Sequence, residues 1–329
     1  MGVGDERLLL KVPGIHAAQV SAFRARSFKV ALRPPRLARV DGPDEEQATD
    51  LTPETGGMLI SREEMRFDFG AAKFRLPADA LILKWIFDQF LYGEITGIQC
   101  GHWLYRAPSL EAAAFFARQA VEELSHVRQF LRIYDLIDLK PGPAHPLIRF
   151  MATGSMGTDY VEHVATEMAV GEGLVLTIFY ALIDTIEDKR VVKILESAAR
   201  QEERHVAFGE RQTRRLVEQN PRLASCLLGL NLGSILAMDR LAGYVSRRLG
   251  REHEVLRQAP AFLQHLVAIL ELRLQRMGIL SGRIAQIKPL ARLWLIASAY
   301  LRHWLGRLRP RRKLLTRTYL DDPSIKSLD

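Results

Sequence analysis

Apolar residues recur with a helical period along most of the chain from Pro77 onwards. Spacings of three and four residues between apolar positions predict four consecutive helices, over about 79–102, 110–136, 159–186 and 189–220. After Pro221 the same period predicts further helices over about 222–249, 255–277 and 288–308. The expected fold class is therefore all-α, a four-helix bundle with additional C-terminal helices.

The N-terminal part of the chain lacks this period. Its short apolar pieces are separated by prolines and by an acidic loop, so residues 1–75 are expected to form an irregular extension with a few short strands. The expected domains are this extension, a four-helix bundle over 76–220, and additional helices with a basic tail over 221–329, packed on the bundle.

A single carboxylate, Glu94, interrupts the apolar stripe of the first predicted helix. Burying it without a partner would cost several kcal/mol, so it either lies at the edge of the stripe and reaches solvent or has a compensating partner. Gly93, Gly97 and Gly101 recur every four residues beside it. Because each glycine weakens a helix, the row indicates a close helix approach or open space next to Glu94.

Two Glu-x-x-His pairs stand on other predicted helices: Glu123 with His126, and Glu202 with His205. With nine histidines and 22 glutamates in 329 residues, composition alone predicts fewer than one such pair. Residues three apart on a helix project from the same face. Each pair can therefore present a carboxylate and an imidazole to one ion.

A fourth carboxylate on the third helix completes the pattern. A lone Glu and a Glu-x-x-His from each of two helix pairs build a di-metal site inside four-helix bundles. Glu172 lies 30 residues before Glu202, matching the 29 residues from Glu94 to Glu123, and its helical neighbours are apolar. Glu167, at 35 residues, is the alternative ligand; otherwise it is expected, like Glu162, on a solvated or supporting face.

The segments EERHVAFGE and GEGLVLTIFY most visibly carry a likeness that spans roughly Pro77 to Asn220. In this region the chain resembles the ferritin-like di-iron carboxylate superfamily, which includes ribonucleotide reductase small subunits, aldehyde-deformylating oxygenases, arylamine N-oxygenases and bacterioferritins. The resemblance implies a ferritin-like bundle and six metal ligands: Glu94, Glu123, His126, Glu172, Glu202 and His205.

Two positions depart from that superfamily. Many members have an Asp before the Glu of the second Glu-x-x-His, where it orients a ligand histidine; here the residue is Gln201. The reductase subunits usually carry a radical tyrosine one turn beyond the first ligand histidine. Phe130 occupies that position here, which argues against a tyrosyl radical.

Four carboxylates and two imidazoles suit two iron ions or a Mn/Fe pair. The expected function is an O2-dependent oxidase or oxygenase that acts on an apolar or aromatic small molecule, which a carrier can present. A dry pocket is expected to be lined by Phe87, Phe90, Gly97, Ile98, Val175 and Phe179. The alternatives are a ferritin-like ferroxidase or iron-handling protein without an organic substrate, and a non-enzymatic helical interaction protein.

The net charge of +8 is concentrated in the C-terminal region. From Leu241 onwards 17 Lys and Arg stand against 6 Asp and Glu, which makes +11 there and −3 before it. The basic last helix is expected to pack on the bundle with a solvated end, to lie on a membrane surface, or to dock an acidic partner such as a ferredoxin electron donor or a carrier protein. No nucleic-acid-binding motif accompanies the charge, and a homodimer is left open.

The remaining features place the chain in a broad class. The apolar runs Leu223 to Met238 and Leu293 to Leu301 are too short for a membrane span, and no signal peptide is recognised. Two cysteines fit a reduced, cytoplasmic protein. Five other histidines lack a carboxylate at the spacing of metal ligands and are expected to be core or surface residues: His102, His163, His253, His265 and His303.

Overall fold

A computed structural model describes residues 57–154, 157, 159–248 and 253–308. In this part of the chain the regular elements are helices, and the β structure is one isolated parallel bridge between Phe74 and Ile186. The predicted all-α class is confirmed. Of the N-terminal extension, residues 1–56 lie outside the described ranges, and residues 57–75 contain one short helix where strands were expected.

The helices are numbered here in chain order. Four of the segments are composite. Helix α2 continues as a 3-10 helix over Ile98–Tyr105, and α4 continues as a π-helix over Phe150–Gly154. Helix α5 contains a π-helical stretch over His163–Glu172, and a 3-10 helix over Leu256–Gln258 leads into α8. The helices are α1 (Arg62–Met65), α2 (Ala80–Gly97), α3 (Leu110–Ile137), α4 (Pro146–Arg149), α5 (Tyr160–Thr185), α6 (Lys189–Gln219), α7 (Leu223–Arg248), α8 (Ala259–Arg276) and α9 (Pro289–Leu308).

The four helices that carry the candidate ligands pack side by side. Helix α2 contacts α3, α3 contacts α6, and α6 contacts α5, an arrangement that fits the expected four-helix bundle. Local capping fixes where two of them begin, because the Ser109 hydroxyl accepts from the Ala112 N–H and the Asp188 carboxylate accepts from the Arg190 N–H. Their apolar faces enclose a core around Phe130.

The winding of α5 changes which of its residues share a side. Residues five apart in an α-helix point about 140° away from each other. In a π-helix, hydrogen bonds join residue i to residue i+5, which brings such residues to nearly the same side. The π-helical stretch therefore allows Glu162, Glu167 and Glu172 to line one cavity together.

Helix α5 is also the one described helix that is long and apolar enough to cross a membrane by length and composition. Within its apolar window, 61% of the residues are buried inside the fold. Its hydropathy is thus accounted for by packing, because α6, α7 and α8 all contact it.

The C-terminal helices cover the bundle next to the π-helical stretch. Helix α7 packs on that stretch, α8 packs on α7, and α9 packs on α7. Two glycines of α7 permit the last contact: a Cβ on Gly229 would lie 2.3 Å from the Leu295 carbonyl oxygen, and one on Gly233 would lie 2.5 Å from the Tyr300 ring. The two glycines therefore let α7 and α9 approach each other closely at these positions.

A fully buried ion pair joins α8 to the bundle. The Arg273 Nε donates to the Glu210 carboxylate of α6 at 2.8 Å, and both side chains are 0% exposed. The same guanidinium lies where Gly173 of α5 has no side chain, and the Leu59 N–H donates to Glu210. Burial raises the pKa of Glu210 although Arg273 opposes that shift, so the carboxylate depends on its partner.

Replacing Arg273 with Met should destabilise the protein by about 3–5 kcal/mol, because it leaves a buried carboxylate unpaired. Chemical denaturation followed by circular dichroism measures the effect. Arg214→Met, which breaks the exposed pair with Glu218, is the matched control and should change stability by less than about 1 kcal/mol. Equal stabilities for the two variants would contradict a structural role for the buried pair.

Candidate metal centre

Six side chains from the four bundle helices converge at the centre of the fold. Two overlapping groups offer ligand atoms that all lie within 4.8 Å of one another: Glu94, Glu123, His126 and Glu202 form the first, and Glu123, Glu172 and His205 form the second. Five of the six residues are 5% exposed or less; the Glu172 side chain is 22% exposed. The two groups share Glu123, as expected for two adjacent ion sites.

Glu123 and Glu202 each direct one carboxylate oxygen to each imidazole. Glu202 places Oε1 at 3.2 Å from the His126 Nδ1 and Oε2 at 3.3 Å from the His205 Nδ1. Glu123 places Oε2 at 3.6 Å and Oε1 at 3.5 Å from the same two nitrogens. Both carboxylates are therefore placed to bridge two ions.

The other two carboxylates each face a single imidazole. Glu94 Oε2 lies 2.9 Å from the His126 Nδ1, and Glu172 Oε2 lies 3.8 Å from the His205 Nδ1. The cluster thus has two halves, each with one terminal carboxylate and one imidazole, joined by the two bridging carboxylates. This division matches the lone-Glu and Glu-x-x-His pattern expected from the sequence.

The donor atoms in this cluster fit divalent metal ions. Within the described residues, Glu172 Oε2, Glu202 Oε2 and His205 Nδ1 are buried and make no hydrogen bond of good geometry, although Glu202 Oε2 and His205 Nδ1 lie 3.3 Å apart. Buried polar atoms in proteins are nearly always satisfied. Hard oxygen ligands with two imidazole nitrogens are the set that iron and manganese take, so a pair of such ions would satisfy all three atoms.

The electrostatics of the cluster also favour a bound cation. Burial raises the pKa of Glu94 to about 8, and burial together with Glu202 raises the pKa of Glu172 well above its usual value. For Glu202, burial is outweighed by His205 and His126, which lower its pKa to about 2. Without metal, protons must therefore limit the repulsion between carboxylates, and divalent ions can replace them.

The imidazole of His205 is held in place by Glu122. Its Nε2 lies 2.8 Å from the Glu122 Oε2, which turns the Nδ1 toward the cluster. Arg204 and Arg118 also donate to Glu122, and although burial opposes ionisation, His205 and Arg204 bring its pKa to about 2. His205 of the second motif is thus oriented by the carboxylate that precedes Glu123 in the first motif.

Glu122 directly precedes Glu123, as Gln201 directly precedes Glu202. This position in the motif is the sequence signal that could have identified Glu122 as a partner of a histidine. The second position has no equivalent contact: Gln201 Oε1 and His126 Nε2 are both buried and have no hydrogen-bond partner in the described part of the chain.

A further residue not identified from the sequence is Gln119. Its amide donates to Glu172 at 2.8 Å and to Glu123 at 3.4 Å.

Glu167, the alternative ligand, lies outside both groups. Its carboxylate contacts the His163 Nδ1 at 2.9 Å and accepts from the Gly157 N–H. Glu162 is buried and lies 2.9 Å from the His303 Nδ1. These two carboxylates were expected on a solvated or supporting face, and the structure places both on the wall of the cavity described next, paired with histidines.

An apolar cavity of about 500 Å³ extends from this cluster along α5. It touches the carboxylates Glu94, Glu123, Glu172 and Glu202, and its other walls are mostly apolar side chains from α2, α5, α7 and α8. Of the residues expected to line a pocket, Phe90, Gly97 and Val175 do so. Ile98 is not among the lining residues, and Phe87 and Phe179 instead pack in the core around Phe130.

The predicted glycine row serves both of the purposes considered. Gly93 lines the cavity, and a Cβ there would meet nothing within 4 Å. A Cβ on Gly97 would lie 2.8 Å from the Glu123 Oε2, and one on Gly101 would lie 3.6 Å from the Ala120 Cβ. The row therefore leaves space beside Glu94 and lets α3 approach closely.

Comparison of the chain with family models, with curated proteins and with solved structures finds no match. The structure defines an all-α protein with a buried carboxylate and histidine cluster that is compatible with a di-iron site. The likeness to the ferritin-like superfamily depends on this ligand pattern and on the helices that carry it.

Replacing Glu202 with Ala should reduce the bound iron or manganese from two ions per chain to one or none, because both half-sites lose a bridging oxygen. Metal analysis after anaerobic loading and gel filtration measures this content. Glu196→Ala, an exposed change on the same helix, and Glu167→Ala should both retain the wild-type content. Unchanged metal content in Glu202→Ala would exclude the proposed ligand set.

Replacing Glu122 with Ala should weaken binding of Mn²⁺ by about 10–100-fold, because the His205 ring loses its orienting carboxylate. Glu122→Gln should recover part of that loss, since an amide oxygen still accepts from an imidazole N–H. Titration followed by electron paramagnetic resonance measures the affinity. Arg118→Ala removes a different partner of Glu122 and should have little effect; an equal loss there would assign the effect to the surface charge network.

Proposed function

We propose that this chain is an O2-dependent oxidase or oxygenase that uses two iron ions, or one manganese and one iron ion, to oxidise an apolar small molecule. The observation that carries the proposal is the cavity, because its wall includes the carboxylates of the metal centre. A substrate in the cavity would lie directly against the ligands.

Two bound redox-active ions would supply the electrons that reduce O2. Six side chains would hold the two ions: Glu123 and Glu202, which face both imidazoles, together with Glu94 and His126 on one side and Glu172 and His205 on the other. Glu122 fixes the ring of His205, and Gln119 restrains Glu172. These contacts set the ligand atoms in position before a substrate arrives, which lowers the reorganisation needed during reaction.

The apolar wall keeps water from the reacting centre. Phe90 of α2 and Val175 and Ile178 of α5 lie on the wall, as do Leu256 and Phe262 further along the cavity. Expelling water protects a reactive oxidant from quenching. The wall favours a substrate whose reacting part is hydrocarbon or an aromatic ring.

The shape of the cavity favours an elongated substrate. The residues of α5 on its wall run from Glu162 to Thr185, with Glu172 between them. At 1.5 Å per residue, the α-helical stretch from Glu172 to Thr185 alone extends about 20 Å. We infer that the substrate is an extended apolar molecule that passes the metal centre along its length.

One end of the cavity is polar and can orient such a substrate. The pairs Glu162 with His303 and Glu167 with His163 lie there, together with Tyr300. The His303 Nε2 is buried and has no hydrogen-bond partner among the described residues. A polar group at one end of the substrate would satisfy this nitrogen, and the apolar body would then extend past the metal centre.

Two other functions fit the observations less well. A ferroxidase or iron-handling protein needs the ligands but not an apolar cavity of about 500 Å³. A non-enzymatic interaction protein would have to keep four carboxylates at one buried point without using them, at a substantial electrostatic cost. The cavity therefore favours the oxidase or oxygenase.

Oxygen uptake by the anaerobically iron-loaded protein tests the proposal. A pulse of O2 should be consumed, and elongated apolar compounds should raise the uptake and be oxidised in proportion to it, as mass spectrometry of the products would show. Absence of oxygen uptake would refute the proposal. Uptake that no apolar compound changes would favour the ferroxidase.

Two glycine variants distinguish the role of the cavity in substrate oxidation from the role of the cluster in iron binding. Gly93→Leu fills open space in the cavity, so we expect the protein to retain its iron. The oxygen uptake that depends on substrate should fall about tenfold or more, because the leucine side chain displaces apolar contacts of the substrate. Gly97→Ala forces a Cβ against Glu123, so we expect loss of iron itself. Full coupled activity in Gly93→Leu would show that the substrate does not occupy this cavity.

A further inference from the structure

Helix α9 presents a continuous apolar face to solvent. Its residues recur at spacings of three, four and seven, so they lie along one side of the helix. We name these residues the outer stripe of α9: Leu290, Leu293, Trp294, Leu301, Trp304 and Leu305. Their exposed fractions range from 46% for Leu305 to 81% for Leu290. Large side chains grouped in this way on a surface mark an interaction site.

The packing of α9 on α7 fixes which face is exposed. The Leu295 carbonyl and the Tyr300 ring sit against Gly229 and Gly233, where any side chain on α7 would collide with them. Ala299 is 0% exposed in the same contact. Helix α9 therefore cannot turn its outer stripe inwards without losing this close approach.

Basic residues accompany the outer stripe in the sequence. From Lys288 to Lys313 the sequence contains eight Lys and Arg and no Asp or Glu. Arg292 and Arg302 belong to this set and have their guanidinium groups hydrogen-bonded to carbonyl oxygens of Ile287 and Ser298. An apolar helix face with basic flanks and tryptophans is the pattern of a helix that lies in a membrane interface.

We propose that the outer stripe of α9 docks on the surface of an anionic lipid bilayer. The leucines and both tryptophans would enter the boundary between head groups and acyl chains, and the flanking Lys and Arg would contact acidic head groups. A second copy of the chain is a poorer occupant. In a twofold dimer the same surface meets itself, which would bring the two basic segments together.

Docking would place the bilayer next to the cavity. Tyr300 and His303 lie on the wall of the cavity and belong to the same helix as the outer stripe. A helix with its side chains is about 10 Å across, so one helix thickness separates the lipid from the cavity. The proposal goes beyond the proposed function and does not require it, because lipid binding is measured without turnover.

Co-sedimentation of the full-length protein with vesicles tests the proposal. The probes are vesicles of phosphatidylcholine alone and vesicles with a third of phosphatidylglycerol. We expect binding to the anionic vesicles that weakens as salt is raised, because head-group attraction is screened. Trp294 and Trp304 should also show a blue-shifted fluorescence on binding.

The double variant Leu293→Glu with Trp304→Glu should bind the anionic vesicles at least about tenfold more weakly, since two apolar anchors become charged. Both side chains are more than half exposed, so the fold should survive, as thermal melting would show. Leu81→Glu, on α2 and 73% exposed, is the matched control and should bind like the wild type.

Three results would overturn the proposal. The protein would fail to sediment with anionic vesicles, or the double variant would bind as tightly as Leu81→Glu, which would assign binding to charge alone. The third is a dimer in analytical ultracentrifugation that the double variant dissociates, with no vesicle binding by the wild type. That result would make a second copy the occupant of the outer stripe.

Discussion

The burial of four carboxylates around one point is the constraint on which the rest of the structure depends. Their repulsion in a medium of low polarity has to be balanced, because an uncompensated buried charge would destabilise the fold by several kcal/mol. His126 and His205 provide part of the balance, and Glu122 and Gln119 hold individual side chains at fixed distances. Divalent ions could supply the remainder, so the cluster is compatible with a cation site.

The same helix joins the metal centre to the cavity. Helix α5 contributes Glu172 to the cluster and lines the cavity from Glu162 to Thr185. Helix α7 packs on its π-helical stretch and carries α9, so the polar end of the cavity, the cluster and the outer stripe belong to one packed set of helices. The cluster, the cavity and the outer stripe are therefore carried by helices that contact one another directly.

The sequence predicts the cluster well because its spacing is local. Two residues three apart on a helix must share a face, and matched lengths place Glu94 level with Glu123 and Glu172 level with Glu202. Contacts that depend on how neighbouring helices rotate are not local, so the role of Glu122 was missed although its motif position is visible.

Other features depend on winding and packing that an apolar period does not encode. The period does not distinguish an α-helix from a π-helix, so it does not show that Glu162 and Glu167 line one cavity with Glu172. The same limit applies to the pocket, where Phe87 and Phe179 were placed on the wall but pack in the core. At α9, the exposed face follows from Gly229 on a different helix, which the pattern of α9 alone does not specify. Deleting one residue from the π-helical stretch of α5 before Glu172 would rotate all residues after the deletion, Glu172 included, by about 100° relative to those before it. Glu172 would then leave the cluster without being changed, so this centre is encoded by the length of a segment as much as by its residues.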